Sequence, residues 1–276
     1  MPAPNRIYNL ALTYQHLMNI VITGANGFIG SNIASHLASK GHNIQALVHY
    51  LFKAPPANIK YRAFMLESFS SDIIPNNTDM IIHTAISHSD NIDIDIKATK
   101  RLYDIAQRKD VKHFIYISRR WANENSLSLR SIKNHKISQS LIDKNALIVE
   151  AEHIIGKGGF QKTVMNIVNY NSIIPIIDAR KKNFNFVRME DFLAEIEIII
   201  ADDRNNGVHT IEYFWSSKLD YYELIAKVLN KKPRYIHLSF KALKTIIKTL
   251  SILKISLNIS DNYLNELEEN SQIPCS

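Results

Sequence analysis

The chain has 276 residues, of which 46% are hydrophobic and 21% charged, enough for one or two domains with a sizeable core. This composition argues against a disordered chain. No run approaches the roughly 18 consecutive apolar residues that a membrane-spanning helix needs, which argues against an integral membrane protein. The single cysteine, Cys275, excludes an intrachain disulfide and a cysteine-based metal site. We therefore expect a reducing, cytoplasmic setting and no metal.

The N-terminal segment 1–17 has neither a charged region followed by an apolar block nor a helical stripe, so it is not typical of a secretory signal. Directly after Met18, the β-branched run Asn19-Ile20-Val21-Ile22-Thr23 predicts a buried first strand. We expect the fold to begin near Met18, with residues 1–17 as an extension outside it.

From Met18 onward, apolar runs of strand length alternate with segments of helical period, which predicts a doubly wound parallel sheet, a Rossmann-type α/β fold. The predicted strands are 19–23, 43–48, 59–65, 79–83, 113–118 and 146–150, and the predicted helices are 28–40, 95–109, 130–144, 189–201 and 219–229. We expect a dinucleotide-binding domain at 18–150 and a smaller substrate lobe at 151–276, with 186–213 returning to the first domain.

The strongest local motif is Thr23-Gly24-Ala25-Asn26-Gly27-Phe28-Ile29-Gly30, between the first strand and the first helix. Glycines there allow a tight turn and let the backbone approach a pyrophosphate without a Cβ in the way. The helix N-terminus adds free N–H groups and the positive end of its dipole. This order of elements favours a dinucleotide site over a turn without a ligand.

The motif TGxxGxxG at 23–30 resembles the NAD-dependent epimerase/dehydratase family, within the extended and atypical short-chain dehydrogenases/reductases. Five further segments are similar to parts of that family, so the resemblance covers Met18 to about Ser239: 79–85 (DMIIHTA), 97–108 (the family's next helix), 111–118 (VKHFIYIS), 186–191 (FVRMED) and 206–211 (NGVHTI). The resemblance implies cofactor contacts at Gly24, Asn26, Gly27, Phe28, Ile29, Gly30 and Ala85.

The end of the second strand bears on which dinucleotide binds. An acidic residue about 20 positions beyond the glycines would hold the ribose hydroxyls of NAD. The sequence has Ala46-Leu47-Val48-His49-Tyr50 there, without an acid. By resemblance, His49 and Lys53 could face a 2′-phosphate, which favours NADP(H) over NAD(H); the alternative for His49 is an ordinary surface histidine.

The resemblance fails at the catalytic tyrosine. In the active family a Tyr and a Lys four residues later lie on one helical face, where the ammonium lowers the phenol pKa and the tyrosinate moves a proton. Lys136 matches that lysine and could also bind the nicotinamide ribose, but Ile132 stands in the tyrosine's place. None of the twelve tyrosines has a lysine at the fourth position after it. The usual Tyr-Lys relay is therefore predicted to be absent.

Two further positions depart from the family pattern. Ser118 at the end of the fifth strand is a candidate hydroxyl contact, or a polar strand end, and Arg119 follows where the family has its hydroxyl residue. After the sixth strand, the family's Arg-Pro and Tyr are replaced by Glu150, Ala151 and Ile155. The alternative acid–base candidates are His153, His83 and Glu150, each of which could instead be a packed or surface residue.

Three functional interpretations remain open. The first is an epimerase, dehydratase or reductase with altered active-site residues, acting on a nucleotide-sugar-like carbonyl or alcohol by hydride transfer. The second is a non-catalytic NAD(P)-binding regulator or scaffold, favoured by the missing tyrosine. The third is a peripheral membrane or assembly factor. Two-helix dimer interfaces are common in proteins that this chain resembles, so a homodimer is one possible oligomeric state, and the sequence leaves that state open. No nucleic-acid partner is expected.

The net charge of +7 is concentrated near the C-terminus. From Leu224 to Ser260 there is no Asp or Glu, whereas eight Lys and Arg residues lie there. The segment from Phe240 to Leu257 has the period of an amphipathic basic helix. Packed on the lobe, its lysines would attract an anionic substrate such as a nucleotide diphosphate sugar; on a membrane they would bind anionic lipid.

Overall fold

A computed structural model describes residues 17–51, 58–120, 122–126, 128–177, 183–202, 206–239, 242 and 245. Its strands are β1 (Asn19–Thr23), β2 (Asn43–Val48), β3 (Ile59–Ala63), β4 (Met80–His83), β5 (His113–Arg119), β6 (Leu147–Ala151), β7 (His153–Gly156), β8 (Ile173–Ile177), β9 (Asn183–Arg188), β10 (Gly207–Thr210), β11 (Phe214–Ser217) and β12 (Arg234–Leu238). Its α-helices are α1 (Phe28–Ser39), α2 (Ile92–Arg108), α3 (Leu129–Leu141), α4 (Gly159–Tyr170), α5 (Met189–Ala201) and α6 (Lys218–Val228).

Seven strands form the main sheet in the order β10-β6-β5-β4-β1-β2-β3, and every neighbouring pair is parallel. Strand β1 lies between β2 and β4, so the strand order reverses beside it. In open parallel sheets, ligands bind in the crevice beyond the carboxyl ends of the strands at such a reversal. The topology therefore directs attention to the loops after β1 and β4.

The central strands are apolar on both faces because helices cover both. Alternate residues such as Ile20, Ile22 and Ile115 pack with α1 and α5 in one core. The intervening positions, including Val21 and Tyr116, pack with α2 and α3 in another. A residue on β5 or β6 can therefore be assigned to one face from its place in this alternation.

A smaller lobe begins where the chain leaves the main sheet after β6. Strands β11, β9 and β7 form one sheet, with β7 parallel and β11 antiparallel to β9. Strands β8 and β12 pair in parallel. Helices α4 and α6 pack on these strands around a third core that includes Phe184, Phe186 and Tyr221.

The doubly wound parallel sheet predicted from the sequence is confirmed. The six predicted strands and five of the predicted helices are present with shifts of a few residues at their ends. The sequence prediction missed α4 and the lobe strands β7, β8, β9, β11 and β12. Residues 1–16 of the predicted extension 1–17 and nearly all of the basic segment 240–257 lie outside the described residues.

Within the part of the chain that the structure describes, no helix is both long and apolar enough to cross a membrane.

Candidate dinucleotide-binding site

The glycine-rich turn connects β1 to α1 at the reversal of strand order. Gly24 has φ +66°, a left-handed conformation that glycine adopts without strain. The Gly27 N–H donates to the Gly24 carbonyl at 2.8 Å, and α1 begins at the next residue. Gly27 has no side chain to cap the helix, so the N–H groups of the first turn are available to an anion.

The three glycines differ in what a Cβ would meet. At Gly30 it would lie 2.5 Å from the Gly24 carbonyl oxygen, and at Gly24 it would lie 2.9 Å from the Ala85 nitrogen. These two glycines permit close packing of turn, helix and the loop after β4. Gly27 is exposed, as is Asn26, and its Cβ would meet only the Gly24 oxygen, at 3.1 Å. Gly27 is thus the glycine that leaves space on the ligand side.

A buried chain of hydrogen bonds connects the end of β1, directly before this turn, with the end of β4. The Thr23 hydroxyl oxygen accepts from the N–H groups of Thr84 and Ala85, and it lies 2.7 Å from His83 Nδ1. The Thr23 proton therefore points to Nδ1, and the other ring nitrogen donates to Thr99 Oγ1 at 2.9 Å. Burial lowers the pKa of His83 to about 4, so this histidine is a neutral structural residue.

The loop after β4 is held by three residues that we name the loop clamp: Ser87, Asp95 and Lys133. Asp95 and Lys133 form a buried ion pair. Asp95 accepts from the Ser87 N–H and hydroxyl, both at 2.6 Å, and Lys133 Nζ lies 2.8 Å from the same carboxylate. Lys133 also donates to the carbonyls of Ser87 and Ser89, at 3.1 and 2.6 Å. Loop, α2 and α3 are thereby joined beside the glycine-rich turn.

The sequence prediction did not single out Lys133. A lysine is rarely buried unless it is paired, and its partner Asp95 is 38 positions away in the sequence, so no local pattern indicates the pair. The predicted residue Lys136 lies on the exposed side of α3, and Ile132 is half-buried. The structure therefore does not bring Lys136 together with Lys133 and the loop clamp.

The side chain of Ser118 is buried and does not lie on an open surface. It is 6% exposed, and its hydroxyl lies 2.9 Å from that of Ser138 on α3. At the end of β2, His49 and Tyr50 are exposed and their rings meet edge to face. Lys53 lies outside the described residues.

Phe28 joins the turn to the small lobe. A Cβ at Gly158 or Gly159 would lie 2.6 or 2.7 Å from the Phe28 ring, so these glycines let the loop between β7 and α4 pack on that ring. Ile29 packs against the α1 core. Phe28, a predicted contact residue, thus connects the turn with the lobe.

Where β6 passes into β7, three buried polar residues form what we name the lobe cluster: Glu152, His153 and Asn185. The Asn185 N–H donates to Glu152 Oε2 at 2.7 Å. Glu152 Oε1, His153 Nδ1 and Asn185 Nδ2 have no hydrogen-bond partner among the described residues. Burial raises the pKa of Glu152 and holds the pKa of His153 well below its usual value.

Within the described ranges, no group of three or more His, Cys, Asp or Glu side chains is placed to hold a metal ion.

Comparison with known proteins identifies the segment that carries this site. Residues 20–119 match the model of the NAD dependent epimerase/dehydratase family. This segment is therefore similar in sequence to that family. The matched segment contains the glycine-rich turn, the hydrogen bonds of His83 with its two threonines and Asp95 of the loop clamp. Helix α3 and the small lobe follow this segment in the sequence. No curated protein sequence matches the chain.

Solved structures of similar fold cover most of the chain. Bordetella bronchiseptica WbmG in complex with NAD is 14% identical, with a TM-score of 0.68 over 95% of this chain and 97% of that one. MoeE5 in complex with UDP-glucuronic acid and NAD is 16% identical, with a TM-score of 0.66 over 80% and 85%. The dTDP-4-dehydrorhamnose reductase of Bacillus anthracis in complex with NADP is 15% identical, with a TM-score of 0.65 over 80% and 85%. The similarity of fold to these structures thus extends beyond the matched segment.

Proposed function

We propose that the protein binds a nicotinamide dinucleotide at the glycine-rich turn and acts as an epimerase, dehydratase or reductase on a nucleotide-sugar-like substrate. The observation that supports this most is the uncapped N-terminus of α1 behind exposed Gly27, at the reversal of a parallel sheet. The family match and the nicotinamide dinucleotides and UDP-glucuronic acid in similar structures point the same way.

When bound, the cofactor would supply a hydride acceptor or donor. The residues of the chain would bind and orient it: the first-turn N–H groups of α1 would hold its pyrophosphate, as helix N-termini hold anions. Ala85 and the clamped loop behind it would line the crevice beside the turn. Phe28, packed against the glycines of the small lobe, would separate the crevice from water on that side.

For the choice of dinucleotide we propose NADP(H). His49 is exposed at the end of β2, and the sequence from Ala46 to Leu51 contains no carboxylate that would repel a 2′-phosphate or hold two ribose hydroxyls. A cytoplasmic location and an anionic substrate remain predictions from the sequence.

Nucleotide binding can be tested by thermal shift with NAD⁺, NADH, NADP⁺ and NADPH. A ligand of the folded state raises stability by RT ln(1 + [L]/Kd), so binding is visible without turnover. We expect the largest shift with NADP⁺ or NADPH. Gly27→Val should lose the shift because its side chain fills the ligand side of the turn, whereas Ser35→Val on the exposed side of α1 should keep it. Equal shifts in the two variants would contradict the assigned site.

A second candidate function is nucleotide binding without catalysis. Ile132 cannot move a proton, Lys136 is exposed, and the buried Lys133 is already engaged by Asp95. These observations favour a regulatory or scaffold protein that uses the fold as a nucleotide sensor. Saturable NADP(H) binding with no hydride transfer from UDP-glucose, UDP-glucuronic acid or a dTDP-sugar would support it.

A further inference from the structure

Glu150 lies at the carboxyl end of β6, directly beside Ser118 on β5 in the parallel register. Paired residues of neighbouring parallel strands direct their side chains to the same face. Ile148, two positions earlier, packs with Tyr116 in the core below α2 and α3. Glu150 and Ser118 therefore both lie on the α3 face, and the Ser118 hydroxyl meets Ser138 there.

Among the three acid–base candidates, Glu150 has the most accessible position. His83 is fully buried and held between two threonines. His153 is 6% exposed and surrounded by the rings of Phe160, Phe184 and Phe186. Glu150 is half-buried and lies at the carboxyl end of β6, the end at which ligands bind in open parallel sheets.

The surroundings also suit proton transfer. Burial raises the pKa of Glu150, and the positive charge of Arg120 partly opposes this shift. The neighbours of Glu150 across the sheet, Ser118 and Thr210, are neutral, and Arg120 is also ion-paired with Glu212. A carboxylate whose pKa is raised toward neutrality is a better proton acceptor than an ordinary surface glutamate.

We infer that Glu150 is the acid–base group of this protein, taking the proton of a secondary alcohol of a sugar nucleotide in place of the missing tyrosine. The inference rests on the proposed function. In the oxidation, the alcohol O–H bond breaks and its proton passes to Glu150, while the carbinol C–H bond breaks and its hydride passes to C4 of the nicotinamide of NAD(P)⁺. The products are a ketone, NAD(P)H and a protonated Glu150.

A first experiment needs neither nucleotide nor substrate. Carbon-13 NMR of the glutamate carboxyls, with the signal assigned by its loss in Glu150→Gln, measures the pKa of Glu150 in the full-length protein. We expect a value above the usual pKa of about 4.3. A carboxyl that titrates at or below that value would overturn the inference.

A second experiment follows reduction of NAD⁺ and NADP⁺ at 340 nm with UDP-glucose, UDP-glucuronic acid and dTDP-glucose as probes between pH 4 and 9. The wild-type rate should rise with pH through the NMR pKa, because only the carboxylate accepts a proton. Glu150→Gln should lower the rate at least about 100-fold and remove the pH dependence, with a nucleotide Kd within about twofold of the wild type. Glu150→Asp should restore part of the rate.

The outcomes separate this inference from the proposed function. Exposed Glu223→Gln is the matched control and should behave as the wild type. Full activity in Glu150→Gln would overturn the role of Glu150 while the proposed function stands. A wild type that binds nucleotide but transfers no hydride from any of the three probes would overturn the role of Glu150 and favour the second candidate function, nucleotide binding without catalysis. Failure of the wild type to bind any nicotinamide nucleotide would instead contradict the proposed function.

Discussion

Two buried polar clusters of this protein are built in opposite ways. In the loop clamp, Asp95 receives two bonds from Ser87 and an ion pair from Lys133, and Lys133 has further carbonyl partners. In the lobe cluster, three buried polar atoms lack a hydrogen-bond partner among the described residues. A satisfied buried network rigidifies its surroundings, whereas an unsatisfied group lowers stability by its lost hydration.

The difference indicates where the molecule is rigid. The clamp lies beside the glycine-rich turn, so the loop that follows β4 is fixed before any nucleotide binds. The lobe cluster lies at the junction of the main sheet with the lobe, where Glu152 separates β6 from β7. We therefore expect substitutions in the clamp to be costly and isosteric substitutions in the lobe cluster to be mild.

The largest effect is expected for Lys133→Met. The variant leaves the Asp95 carboxylate buried without its cation, which should lower the free energy of unfolding by about 3–5 kcal/mol, measured by urea denaturation. Adding Asp95→Asn removes that charge while keeping an amide oxygen for the Ser87 N–H, so the double variant should recover much of the loss. A single variant as stable as the wild type would contradict the clamp.

A smaller loss is expected for His83, whose pKa in the folded protein is about 4 against about 6.5 in an unfolded chain. Between these pH values the unfolded state binds more protons than the folded state. The contribution of neutral His83 to the free energy of unfolding is therefore complete above pH 6.5 and is lost as the pH falls to 4. The loss amounts to about 3 kcal/mol, since each pKa unit corresponds to about 1.4 kcal/mol.

The measurement is the free energy of unfolding in urea at pH 7 and pH 4.5. His153, whose pKa is also lowered, contributes in the same direction, so the wild type is compared with His83→Gln. That variant should be less stable at pH 7 and less sensitive to acid, whereas exposed His88→Gln should keep the wild-type dependence. Parallel pH curves for all three proteins would contradict a buried neutral His83.

Gly30→Ala should lower stability by about 1–3 kcal/mol, because its Cβ would lie 2.5 Å from the Gly24 carbonyl oxygen. The backbone of the turn must move to admit it. Gly27→Ala, whose Cβ meets that oxygen at 3.1 Å, should change thermal stability less. If the two variants melt at the same temperature, the assigned packing of the turn is incorrect.

The main sheet was accessible from the sequence because its strands are continuous β-branched runs and its glycine motif is local. The lobe could not be predicted in the same way. Strand β7 follows β6 after a single residue, so the two strands form one continuous run in the sequence. The helix α4 is amphipathic, but it begins at Gly159 and is rich in β-branched residues such as Val164 and Val168, which favour strands over helices. The loop clamp depends on contacts between residues that are distant in the sequence. The spacing of the family motif pointed to Lys136 as the site lysine, whereas the buried lysine of α3 is Lys133.

The smallest effect is expected in the lobe cluster. Burial raises the pKa of Glu152, so ionising this carboxyl lowers the stability of the folded state as the pH rises through its folded pKa. Glu152→Gln removes the charge and keeps an oxygen that can accept from the Asn185 N–H. We expect it to raise the melting temperature slightly at pH 8 and to have the least effect at pH 3, which lies below the unfolded-state pKa of about 4.3, so the wild-type carboxyl is protonated in both states. Exposed Glu223→Gln should show neither change. A clear loss of stability in Glu152→Gln at pH 8 would mean that the nearby cations Arg119, Arg120 and Lys218 stabilise the charge more than burial opposes it, and the contrast with the clamp would then fail.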